Sequence, residues 1–162
     1  MSDIIIINSI ANEAIKLELD TLERANLDEL NLHRAILNRT NLSDASLVKT
    51  NLRGAQLKES NLSRANLTSA LLMVSLFENS NLESSNLTKA NLAGADFSHA
   101  NLTNAILFKA DVWNANFKSA NLKGANMLCR RIEDVNIEGA LYDDCTIWPA
   151  SFNPLEYGAI KA

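Results

Sequence analysis

At 162 residues, 47% of them apolar and with only five Gly and two Pro, the chain carries core material along its length, which argues against a linker or a disordered tail. The net charge of −4 is unevenly laid out: residues 1–40 hold 7 acidic and 4 basic groups, residues 41–128 hold 6 and 8, and residues 129–162 hold 6 and 3. The eight basic groups of the middle section are scattered among acids, so no dense basic stripe for nucleic acid exists.

The first predicted element is a strand at Ile4-Ile5-Ile6-Ile7, followed by a short helix over residues 9–17, with Ser9 as N-cap and Ile10, Ala14 and Leu17 on one face. Residues 1–20 are read as an N-terminal strand/helix cap. No basic stretch precedes the isoleucines, Asp3 adjoins them and the run is short, which opposes a signal peptide or membrane anchor.

Residues 21–140 follow a five-residue rule. Leu or a substitute for it occupies every fifth position from Leu17 to Phe152, with no insertion or deletion. We call this residue the centre. Between Leu27 and Met127 it is Leu except at Phe77, Phe97, Val112, Phe117 and Met127. Two residues earlier, from Ala25 to Ala125, only Leu30 is not Ala, Ser or Thr. The two residues after the centre are mostly polar. Neither a helix nor an ordinary strand has this period, and one pentad cannot bury a leucine alone. Stacked pentads can.

Triplets such as Ala65-Asn66-Leu67 and Ala90-Asn91-Leu92 closely resemble the pentapeptide-repeat family, written A-(N/D)-L-x-x, over about four-fifths of the chain. The resemblance implies an all-β fold: a right-handed, four-sided parallel β-helix with four pentads per coil. About seven coils rising ~4.8 Å each would make a rod on the order of 34 Å long. At twenty residues per coil, Phe77, Phe97 and Phe117 fall in one column, and Asn41, Asn61, Asn81, Asn101 and Asn121 in another. Leu62, Leu82 and Leu102 are expected in the core with the three Phe, and Ala95 should point inward.

Arg130 and Val135 break the small-residue rule where the regular repeat gives way. Residues 141–162 are read as a C-terminal cap that holds Trp148-Pro149, Phe152-Asn153-Pro154, Leu155, Tyr157, Gly158 and Ile160; proline suits the end of the stack, and the aromatic residues can lie across the last Leu layer. The segment Leu141 to Pro149 with Phe152-Asn153-Pro154 resembles the end cap of stand-alone cyanobacterial members. Strict register sets Cys145 over Ala125, with Cys129 four residues along from that column, too far for a disulfide, so two reduced thiols and a cytoplasmic protein are expected.

A filled interior leaves no place for a substrate, and His33 and His99 lie on different sides, roughly three coils apart. We therefore expect no enzyme, metal, cofactor, small-molecule substrate or membrane partner. The exposed apolar residues are more informative: Leu71, Met73, Val74 and Leu76 around one coil, then Ile106, Phe108 and Trp113, with Phe108, Leu128 and Trp148 in one outward column. They point to an unidentified protein partner or a homodimer, served by a non-enzymatic interaction module. The resemblance also implies an alternative, mimicry of duplex DNA on gyrase. That needs a strongly negative rod, and residues 41–128 net +2.

Overall fold

The computed structural model describes residues 4–11 and 13–162. Residues just before the centres form parallel β-bridges twenty positions apart, as in Asn41↔Asn61, Asn61↔Asn81 and Asn81↔Asn101. The Leu82 N–H donates to the Asn101 carbonyl at 2.7 Å, and the Asn81 N–H donates to the Ser60 carbonyl at 2.9 Å. Four pentads thus complete each coil of a parallel β-helix, and every coil is hydrogen-bonded to the next.

Each corner is a β-turn that begins on a centre: the Ala65 N–H donates to the Leu62 carbonyl at 3.0 Å. The third turn residue is left-handed, with φ 57° at Arg64, and nineteen non-glycine residues among those described share this region. Such a conformation costs an L-residue roughly 1–2 kcal/mol. It is held by bonds between coils, here the Arg64 N–H donating to the Glu83 carbonyl at 2.8 Å. The residue before the centre closes the same turn with its side chain. Asn101 Oδ1 accepts the Thr103 N–H at 3.1 Å, while Asn101 Nδ2 donates to Asn81 Oδ1 at 3.1 Å. That amide ladder runs through Asn41, Asn61, Asn81 and Asn101. The preference for Asn or Asp is therefore local chemistry, an acceptor for a turn N–H, repeated at strand spacing.

The centres fill the interior. Leu62, Leu82, Leu102 and Phe77, Phe97 and Phe117 are all fully buried. Phe77 and Phe97 stack at 4.7 Å between centroids and Phe97 and Phe117 at 5.1 Å, the rings nearly parallel in each case. Ala95 is buried beside them. Some of the small residues carry hydroxyls that bond inside the coil or across coils: Ser80 Oγ donates to the Phe77 carbonyl at 2.6 Å and Thr50 Oγ1 to the Leu27 carbonyl at 2.8 Å, while the buried Ser85 Oγ has no partner among the described residues.

The front end differs from expectation. No helix forms among the described residues of 9–17. Instead β1 (Ile4–Ile7) pairs antiparallel with β2 (Ile15–Glu18), from Ile4↔Glu18 to Ile7↔Ile15. Ile15-Lys16-Leu17-Glu18 alternates apolar and polar with period two, and branched isoleucines favour extended chain. Ser9 caps no helix; its Oγ donates to the His33 carbonyl at 2.7 Å, and the chain there lies antiparallel on the first coil through Ser9↔Ala35. Asn12, inside the expected helix, lies outside the described residues.

Near the back the register slips, although the spacing of the centres shows no insertion. Asp111 pairs with Arg130, nineteen residues on, and Asn126 pairs with Ile147, twenty-one on. Arg130 sits where a small inward residue belongs and is exposed instead. A charged guanidinium cannot enter the apolar interior, so the chain takes a shorter path there and a 3-10 turn at Ile132–Asp134 restores the count. After β3 (Leu141–Tyr142) one more residue is gained. Thr146 rather than Cys145 then takes the inward place, its Oγ1 donating to the Leu122 carbonyl at 3.0 Å. Cys145 is exposed, Cys129 is half-buried, and both are free. Trp148 leaves the outward column and packs on Tyr142 and Phe152, with centroids at 5.8 and 5.4 Å. A 3-10 turn at Pro154–Tyr157 leads to β4 (Ile160–Lys161), parallel to β3. Leu155, Tyr157 and Ile160 face solvent.

Candidate functional site

Apart from Val74, which stands second after its centre, the apolar side chains of the two clusters occupy two kinds of position. Leu71, Leu76 and Ile106 stand just before a centre, on flat faces, bridged to the coils on either side. Met73, Phe108, Trp113 and Leu128 stand just after a centre, at corners that project outward. At the first kind of site an Asn would accept the turn N–H two residues on, as Asn81 does from Glu83. A Leu or Ile cannot. The apolar residues at 71, 76 and 106 therefore forgo a hydrogen bond used elsewhere along the rod.

Leu71, Met73 and Leu76 share one coil. Met73 stands in one corner column with Ala93 and Trp113, as the bonds from Val74 N–H to the Ala93 carbonyl and from Gly94 N–H to the Trp113 carbonyl show. The Lys109 N–H donates to the Leu128 carbonyl, which sets Leu128 on the corner of Phe108. Ile106, Phe108 and Trp113 follow the first cluster after about two coils, roughly 10 Å along the axis. The predicted surface is thus two clusters, the second extended by Leu128. Leu71, Ile106, Phe108 and Trp113 are exposed, Trp113 by 49%, while Met73, Leu76 and Leu128 are half-buried.

Cations rim the second cluster. Lys109 Nζ lies 5.0 Å from the Phe108 ring centroid and the Arg131 guanidinium 5.4 Å from that of Trp113. A groove of about 510 Å³ beside them is lined by Lys89, Lys109 and Arg130. Asp111, nearly buried, holds Arg131 through two hydrogen bonds and Arg130 at 3.5 Å. Burial would raise the Asp111 pKa, but the Arg131 hydrogen bonds, the Trp113 N–H and the two arginine charges outweigh it and hold it below the usual Asp range. Asp111 thereby fixes the guanidinium that covers Trp113. Twenty-residue stacking alone would set Arg131 over Asp111; the nineteen-residue step, which breaks the repeat, adds Arg130.

Among the described residues, no group of three His, Cys, Asp or Glu is placed to hold a metal ion, and no helix is long and apolar enough to cross a membrane. What the surface offers is flat and corner-borne apolar area with cationic edges.

A family model described as pentapeptide repeats matches in eight copies, over residues 21–44, 35–72, 75–107 and 96–128. A pentapeptide repeat protein, Rfr23, of the cyanobacterium Cyanothece 51142 is 25% identical, with 77% of this chain and 88% of that one covered and a TM-score of 0.45. One from the Arabidopsis thaliana thylakoid lumen is 24% identical, covering 80% and 72%, with a TM-score of 0.43. Another, from Nostoc PCC 7120, is 26% identical, covering 76% and 86%, with a TM-score of 0.40. No curated protein sequence matches.

Proposed function

Because the chain belongs to the pentapeptide-repeat family, whose fold is a right-handed β-helix, we propose that it works without catalysis, as a rigid module that presents side chains to a protein partner. In this reading residues 21–140 are the rod proper, in a stack of about seven coils. Residues 1–20 and 141–162 close its two ends against edge pairing with other chains. The partner is a second protein or another copy of this chain, met in the cytoplasm, where the two free thiols would stay reduced.

The observation that carries the reading is the exposure of Phe108 and Trp113 on a rod whose interior is filled. Aromatic anchors with a polar rim are what interface centres use. Substituting both by Ser should leave thermal melting within a degree or two of wild type and abolish self-association or partner capture. Unchanged association in that variant would refute the assignment. Mimicry of DNA on gyrase is opposed by charge, since residues 41–128 carry eight basic and six acidic groups. A supercoiling assay with purified gyrase should show no inhibition at micromolar protein.

A further inference from the structure

The chain has seven arginines, and five of them make ion pairs: Arg24 with Glu23, Arg39 with Glu59, Arg64 with Asp44, and Arg130 and Arg131 with Asp111. The other two, Arg34 and Arg53, make none among the described residues. Both line the same surface notch of about 430 Å³.

The notch has a simple cause. One corner column reads Arg34, Gly54, Val74, Gly94, so large and absent side chains alternate up the rod. Gly54 is the floor; a Cβ there would come within 3.3 Å of Arg34 Cγ. Arg34 and Val74 flank it along the axis, and Arg53, Leu76 and Ile10 also line it. Ile10 is brought in by the antiparallel front segment, whose N–H donates to the Arg34 carbonyl at 3.1 Å. Two guanidinium groups thus stand beside three aliphatic side chains, of which Ile10 and Val74 are largely exposed.

The geometry points to a docking notch for a protein segment that places a carboxylate side chain next to an aliphatic one. Arginine forks donate paired hydrogen bonds to a carboxylate, and the aliphatic neighbour covers Ile10, Val74 and Leu76. Leu76 belongs to the notch and to the first apolar cluster, so the proposal rests on the interaction-module reading and gives the partner a chemistry: acidic and aliphatic together.

The test is an NMR titration of the whole ¹⁵N-labelled protein with acetyl-Leu-Glu-Leu-Glu-amide, following the Gly54 amide and arginine Nε signals. We expect saturable shifts at Gly54, and binding weaker by about tenfold or more for the Gln version of the peptide and for the R34Q/R53Q protein. Gly54→Asn, which tolerates the left-handed backbone but fills the floor, should weaken binding likewise with the melting temperature retained. No saturable shift, equal binding of the Gln peptide, or full competition by inorganic phosphate would overturn the proposal, the last by reducing the notch to a general anion site. Shifts that depend on protein concentration alone would show that a second copy occupies it, and would overturn it too. If R34Q/R53Q keeps the association that the Phe108 and Trp113 double variant loses, the notch fails while the module reading stands.

Discussion

Replacing Phe97 by Leu isolates what the aromatic column contributes. Phe97 has a ring on either side, Phe77 at 4.7 Å and Phe117 at 5.1 Å, whereas Phe77 has one ring neighbour in the column and Leu57 below it. Leucine is the usual centre, so either substitution keeps the register. Both lose a similar apolar area, on the order of 1 kcal/mol. That loss cancels when the variants are compared. Beyond it, Phe97→Leu loses two stacked pairs and Phe77→Leu one, at about 0.5–1.5 kcal/mol per pair. Phe97→Leu should therefore be less stable than Phe77→Leu by about 0.5–1.5 kcal/mol in urea unfolding with a shared slope. Equal midpoints would show that stacking adds nothing beyond burial. A less stable Phe77→Leu would mean that the column is not ordered as described.

Three further outcomes follow from single residues. Val74 is β-branched, 60% exposed and left-handed at φ 51°, so Val74→Asn should stabilise the rod by about 1 kcal/mol in the same assay. Burial pushes the Cys129 thiol up to about 12, so at pH 8 iodoacetamide should modify the exposed Cys145 and spare Cys129, as read by mass spectrometry. Asp111 has a depressed pKa when folded, so its stabilisation is present above the ordinary Asp range near pH 4 and is lost as pH falls through the folded value. Asp111→Asn should accordingly be less stable at pH 7 but lose less on acidification below pH ~4, measured by melting across pH.

Legibility in the sequence tracked the repeat. The period, the inward Leu and Phe and the stacking of residues twenty apart all follow from one rule applied along the chain, because a filled interior tolerates few exceptions. Phe77, Phe97 and Phe117 could be placed from their numbers alone. Where the rule ends, local pattern and tertiary context compete. Residues 9–17 offered a helical face and a serine cap, yet alternation at Ile15 to Glu18 and pairing with β1 prevailed. Arg130 could be recognised as a breach, but not the shortened bridge to Asp111 that answers it, nor the later gain of a residue that turns Trp148 inward. The apolar surface residues were visible as departures from Asn and from polar corners. The notch was not, since it needs the front segment to fold back beside Gly54.

The hydrogen-bond ladder between coils is the most direct object of measurement. Through-bond NMR couplings should link the Phe97 amide to the Asn116 carbonyl and the Asn116 amide to the Ala95 carbonyl, with the same nineteen-forward and twenty-one-back pattern recurring from Leu42 to Leu122 except at Val112, whose amide couples to the Arg130 carbonyl eighteen residues on. Couplings to carbonyls four residues back, or to any other fixed interval, would contradict the coil, and with it the rigid surface on which the proposed contacts depend.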